Sequence, residues 1–143
     1  RRHTRSFHVT GVQTCALPIF FFVTAANQAA NILFPFAILF WIKINESEYR
    51  NRNSLPTNLI VTLGDRGAML KTWNGEMIYP TNKVDVVDVC GCGDTFLAAL
   101  TIQYLYTRDI EKSIIFANTA AGITVQHRGN YAPSYDEIRH ARY

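Results

Sequence analysis

The sequence predicts an α/β chain, a mostly parallel sheet flanked by helices, and three observations predict it. Apolar β-branched runs such as Leu59–Thr62 and Val84–Val89 are continuous rather than alternating, as in strands covered on both faces. They alternate along the chain with helical periodicity, at Asp94–Tyr106 and Ile110–Val125. Finally, Asn74-Gly75, between Leu70–Trp73 and Glu76–Tyr79, is the strongest short hairpin signal in the chain and adds one hairpin to that sheet.

At 143 residues the chain is the size of one ordinary domain and long enough to bury a core. A net charge of +3, from 14 basic and 11 acidic residues, is mild and scattered beyond the Arg-rich first five. Nothing in it argues for a nucleic-acid surface. Three cysteines, two of them in Cys90-x-Cys92, give no even disulfide framework and no second ligand pair at zinc spacing. A reducing, cytoplasmic setting is the simpler expectation.

Residues 1–19 are basic, hold two of the four histidines and follow no helix or strand period. They resemble a translated sequencing-adapter tail, so a non-native or disordered leader is expected there, with a secretory signal as the alternative. Residues 20–143 carry the fold. Phe20–Ile44 is strongly apolar, but three amides interrupt it and Pro35 splits it, and even its longest run free of polar residues, Ile32–Ile42, is too short for the roughly 18 residues of a membrane span. Instead, Ala25–Leu33 suits a short helix and Phe36–Ile44 a buried strand.

Asn45-Glu-Ser-Glu48 follows that strand directly. An amide and a carboxylate three apart at a strand's carboxyl end could reach a hydrated Mg²⁺ and phosphate oxygens. They also suit a capping box, with Asn45 as N-cap and Glu48 at the third helical position. After the polar stretch 50–57, Thr62-Leu-Gly64-Asp-Arg-Gly67 reads as a glycine loop between two strands, or as a plain hairpin turn. Beyond the helix at Asp94–Tyr106, Asp109 caps the next one, with Ile114, Ile115, Ala117, Ala121 and Ile123 expected inward. Its Asn118–Gly122 stretch is small enough for close approach of a backbone or a flat ring, or for ordinary helix packing. Ser134 and Glu137 mark a last capping box, and His127 is expected on a surface turn.

The stretch that organises the rest is Val84–Thr95. Its β-branched run breaks at Gly91-Cys92-Gly93 and becomes a helix at Asp94, so the amides of Gly91, Cys92 and Gly93 should point outward at a helix start, where an anion is favoured. Asp94 is then either an N-cap or a base that accepts a proton from a hydroxyl attacking phosphorus.

Asp88-Val-Cys-Gly-Cys-Gly-Asp94-Thr-Phe resembles the signature of the PfkB, or ribokinase-like, carbohydrate kinases, usually Asp-Thr-x-Gly-Ala-Gly-Asp-x-Phe. Three other stretches, Asn45–Glu48, Thr62–Gly67 and Asn118–Gly122, follow the same family's order. The resemblance implies a ribokinase-like fold of which this chain is the carboxyl-terminal half, the amino-terminal half being absent. It also implies transfer of the γ-phosphoryl group of ATP, with Mg²⁺, to a sugar or sugar phosphate. By the same likeness Asp94 is the catalytic base and Gly91, Cys92 and Gly93 the anion hole, Cys92 departing from the usual Ala. Thr62, Gly64, Gly67, Asp88, Asn118 and Gly122 would face the nucleotide, and Asn45 and Glu48 the metal. Within the family the likeness runs toward heptose-7-phosphate kinases. No nucleic-acid or membrane partner is implied, and a homodimer of the full-length protein is compatible with it. Two rivals stay open: a nucleotide-binding but catalytically incompetent domain, and a secreted or tethered protein led by residues 1–41.

Overall fold

The computed structural model describes residues 22–24, 41–51 and 58–141. The expected leader, the helix at Ala25–Leu33, the first part of the strand at Phe36–Ile44 and most of the polar stretch 50–57 lie outside the described residues.

Five strands form one sheet in chain order: β1 (Phe22–Thr24), β2 (Trp41–Asn45), β3 (Leu59–Thr62), β4 (Ala68–Thr72) and β5 (Gly75–Tyr79). The pairings β1–β2 and β2–β3 are parallel, whereas β3–β4 and β4–β5 are antiparallel. The described sheet is therefore evenly mixed rather than mostly parallel. Two tight turns cause this: the glycine loop Gly64–Gly67 reverses the chain as surely as Asn74-Gly75 does, so the single expected hairpin becomes a three-stranded meander.

β3 sits between a parallel and an antiparallel neighbour, and Leu59, Ile60 and Val61 are all buried. Ile60 faces one core with Ala68, Leu70 and Tyr79; onto these pack Phe96, Ala99 and Leu100 of α2 (Cys92–Thr107), Ile114, Ala117, Ala120 and Ile123 of α3 (Ile110–Thr124), and Ile138 of the short helix Tyr135–His140. Leu59 and Val61 face the other way, onto Ile44, Leu63 and Met69, with Tyr49 of α1 (Glu46–Arg50) against them. Each such fully buried Leu or Ile stabilises the fold by about 1.5–3 kcal/mol.

Helix ends follow the sequence closely. Asp109 caps α3 by accepting the Lys112 amide at 3.1 Å, and Ser134 and Glu137 form their capping box. Two expectations are corrected. The run Val84–Val89 forms no strand: Val86, Val87 and Val89 are exposed, and the amides of Val87 and Asp88 both donate to the Val125 carbonyl (2.7 and 3.1 Å), an orphan acceptor at the end of α3. Ile115 points outward, while Ser113 and Asn118 take buried places on α3. The apolar face of α2 is also narrower than its composition suggests, because Ile102 and Leu105 are exposed.

Candidate phosphoryl-transfer site

The turn before α2 is built by Gly91, whose left-handed φ of 74° makes it the N-cap and whose carbonyl accepts the first helical bond, from Thr95, at 2.9 Å. That conformation favours glycine, and a Cβ here would also lie 2.8 Å from Asn130 Oδ1, displacing that exposed side chain. Of the amides at this turn, Cys92 makes one long bond, 3.4 Å, to the Val89 carbonyl. Those of Gly91, Gly93 and Asp94 have no partner among the described residues. They open the 16-residue helix α2, whose dipole adds to their attraction for an anion. Asp94 is exposed, and its carboxylate likewise carries no hydrogen bond among the described residues.

A second loop straps this turn in place. Asp88 Oδ1 accepts the Cys90 amide (3.0 Å) and Asp88 Oδ2 the Gly129 amide (2.8 Å), while the Cys90 thiol donates to Asn130 Oδ1 (3.2 Å). Expected to face the nucleotide, Asp88 instead spends both oxygens on backbone amides, which gives it a scaffold's task. The Gly129 amide, then that of Cys90, holds its carboxyl below the usual carboxylate range. A carboxyl lowered by folding stabilises the fold above its ordinary pKa of about 3.9 and loses that contribution as pH falls through the folded value. The stability gap between the parent protein and Asp88→Ala should thus be open at neutral pH and close in acid. A gap that thermal melts show to be independent of pH would contradict the strap.

At the carboxyl ends of β2 and β3, register places Asn45 opposite Thr62. Here the sequence offered two alternatives, and the capping box forms: Asn45 Oδ1 accepts the Glu48 amide (2.9 Å) and Glu48 Oε2 accepts the Asn45 amide (2.8 Å). Ser47 Oγ also donates to Asn45 Oδ1, at 2.7 Å. Glu48 Oε1 and the Asn45 side-chain NH₂ are what remain for a ligand. Thr62 Oγ1 makes a long bond, 3.4 Å, to the Ile44 carbonyl, and Gly64 is exposed with open space around its Cα. Gly67 differs. It is buried, and its Cα presses on the backbone of Tyr79, Pro80 and Thr81, so its glycine is required by packing. Arg66 is exposed and bound to Glu46 at 2.5 Å.

Asn118 and Gly122 line a cleft of about 320 Å³ with Pro80, Thr81, Val84 and Ile115. That volume is at the small end of ligand pockets, roughly 300–1,000 Å³. Asn118 Nδ2 also donates to the Tyr79 carbonyl at 2.9 Å, so the same residue walls the cleft and ties α3 to the end of β5. The segment 80–90 joins the cleft to the α2 turn.

Residues 37–137 match the family model of the pfkB family carbohydrate kinases. The chain belongs to that family. Among curated relatives, it is 33% identical over 104 residues to ribokinase of Bacillus subtilis, covering 73% of this chain and 32% of that protein. It is 35% identical over 79 residues to the bifunctional protein HldE of Helicobacter acinonychis, covering 55% and 17%. Among solved structures, ribokinase of Thermotoga maritima superposes with a TM-score of 0.61 at 26% identity, over 69% of this chain and 40% of that one. The pfkB chain thus spans about a third of the B. subtilis relative.

Among the described residues, no group of three or more His, Cys, Asp or Glu side chains is placed to hold a metal, and no helix is long and apolar enough to cross a membrane. Cys90 and Cys92 are free thiols. The sequence did not single out two contributors to the turn. Asn130 carries no local signal, since its contact with Cys90 spans 40 residues. Lys43 had one: a lone lysine inside an otherwise apolar strand.

Proposed function

We propose that this chain is the nucleotide-binding, carboxyl-terminal part of an ATP-dependent sugar or sugar-phosphate kinase. What carries the reading is the start of α2, where three unclaimed backbone amides and an unengaged carboxylate meet at one helix terminus. The acceptor hydroxyl oxygen forms a bond to the γ-phosphorus as the bond from that phosphorus to the β–γ bridging oxygen breaks, releasing ADP. Asp94 takes the hydroxyl proton, and the amides of Gly91, Gly93 and Asp94 meet the charge on the phosphoryl oxygens, with Cys92 shaping the turn between them. Gly64 and Thr62 lie along the nucleotide phosphates, and the cleft at Asn118 and Gly122 takes the base. A magnesium ion, when bound, neutralises phosphate charge. Glu48 Oε1 would suit a hydrated ion that keeps its waters and contacts few protein groups, whereas the Asn45 side-chain NH₂, a donor only, suits a phosphate oxygen rather than the metal.

The likeness to the HldE relative supports a phosphorylated heptose, heptose-7-phosphate, as acceptor, and the chemistry of ATP and sugar phosphates supports a cytoplasmic site of action. The direct test incubates the full-length protein with ATP, Mg²⁺ and a panel containing ribose, fructose, hexose phosphates and heptose-7-phosphate, following ADP release. Turnover with one member is expected. ATP binding with no turnover on any of them would favour the catalytically incompetent alternative.

A further inference from the structure

Lys43 is an anomaly of the described structure. It lies in β2 opposite Ile60, on the sheet face covered by α2 and α3, where the pattern of the strand asks for an apolar side chain. Only 8% of the residue is exposed, and no carboxylate lies within salt-bridge distance of its ammonium among the described residues. No buried side-chain nitrogen or oxygen there lacks a hydrogen-bond partner, so the unpaired ammonium is the part of Lys43 that still reaches open space. Taking a charged amine out of water without a counter-charge is costly, and lysines so placed are normally paired.

Its surroundings make the placement stranger still. Nζ lies 3.4 Å from the position a Cβ on Gly93 would occupy, beside the second residue of α2. In a helix that bond direction tilts toward the amino terminus. The ammonium therefore stands alongside the unpartnered amides of Gly91, Gly93 and Asp94, and the positive end of the α2 dipole repels it. Two positive features converge on one spot, and only an anion arriving there relieves both.

We propose that Lys43 completes the phosphoryl cradle, its ammonium contacting a non-bridging oxygen of the group in transfer, so that charge at phosphorus meets backbone amides on one side and Lys43 on the other. A Cβ at Gly93 would stand 3.4 Å from Nζ, so the lysine's ammonium end lies in ordinary contact range of the second residue of α2. The inference rests on the kinase reading for the identity of the anion. The site itself rests only on the unpaired ammonium of a largely buried lysine and on the helix start.

The test uses Lys43→Met in the full-length protein, with Lys43→Gln as a second variant should the first misfold. Methionine fills the same volume without charge, so the ligand-free melting temperature should hold or rise, the opposite of losing a structural lysine. Binding of inorganic phosphate, titrated by calorimetry, should weaken at least about tenfold, and kcat should fall about 10²–10³-fold, the range for removing one transition-state donor. An unchanged phosphate affinity or an unchanged kcat overturns the assignment. The kinase reading fails separately: a parent protein that phosphorylates no sugar yet binds phosphate through Lys43 keeps the anion site and loses the reaction.

Discussion

Replacing Asp94 with Asn in the full-length protein is expected to lower kcat by about 10²–10⁴-fold, the range over which a positioned general base contributes, while leaving nucleotide affinity close to that of the parent. The expectation follows from what Asp94 does not do. Its carboxylate caps nothing: the N-cap is Gly91, and the first helical bond runs from Thr95 to Gly91 without the side chain's help. Nor is it paired with a cation among the described residues, so the fold gives it no structural employment. Asn keeps the shape and the start of α2 but cannot accept the proton of an attacking hydroxyl. Single-turnover measurement of phosphoryl transfer, beside ATP titration, separates the chemical step from binding. A variant within threefold of the parent in transfer rate would remove Asp94 from the mechanism.

Local chemistry made much of the architecture legible, and it failed where distant contacts decide. Asn45 with Glu48, Ser134 with Glu137, and Asp109 each form the cap their spacing announces, because a cap is settled within four residues. Asn74-Gly75 turns its hairpin for the same reason. Val84–Val89 misleads, since β-branched residues favour a strand only when a neighbouring strand is there to pair with. Here the Val125 carbonyl, more than 35 residues away, takes the amides instead. Asp88 illustrates the same limit at the site. Its sequence position beside the glycines suggested a ligand contact, yet its partner Gly129 comes from beyond α3. The α2 turn was legible because three residues define it, whereas Lys43 and Asn130, which close around it, arrive from 50 residues before and 37 residues after Gly93.

Gly67→Ala should be the most destabilising single-methyl change in the loop, costing about 2–6 kcal/mol. Two terms build that figure. At φ 89° and ψ −131° the backbone lies in a region that glycine alone adopts readily, and another residue there carries strain of about 1–3 kcal/mol. The new methyl would also lie 2.2 Å from the Tyr79 carbonyl oxygen, 2.7 Å from the Thr81 nitrogen and 2.8 Å from the Pro80 carbonyl carbon, all backbone atoms that cannot swing aside; overpacking of this kind costs about 1–3 kcal/mol. Relief requires the segment 79–81 to move. That movement pulls the Tyr79 carbonyl from Asn118 and deforms the wall of the cleft formed by Pro80 and Thr81, so nucleotide affinity should fall together with stability. Gly64→Ala is the control: its φ of +65° carries the strain term, but nothing lies within 4 Å of the added methyl, so about 1–2 kcal/mol is the whole cost. Urea denaturation of the two variants should separate them clearly, and equal losses would mean that backbone conformation alone, and not the approach of Gly67 to β5, sets the requirement for glycine.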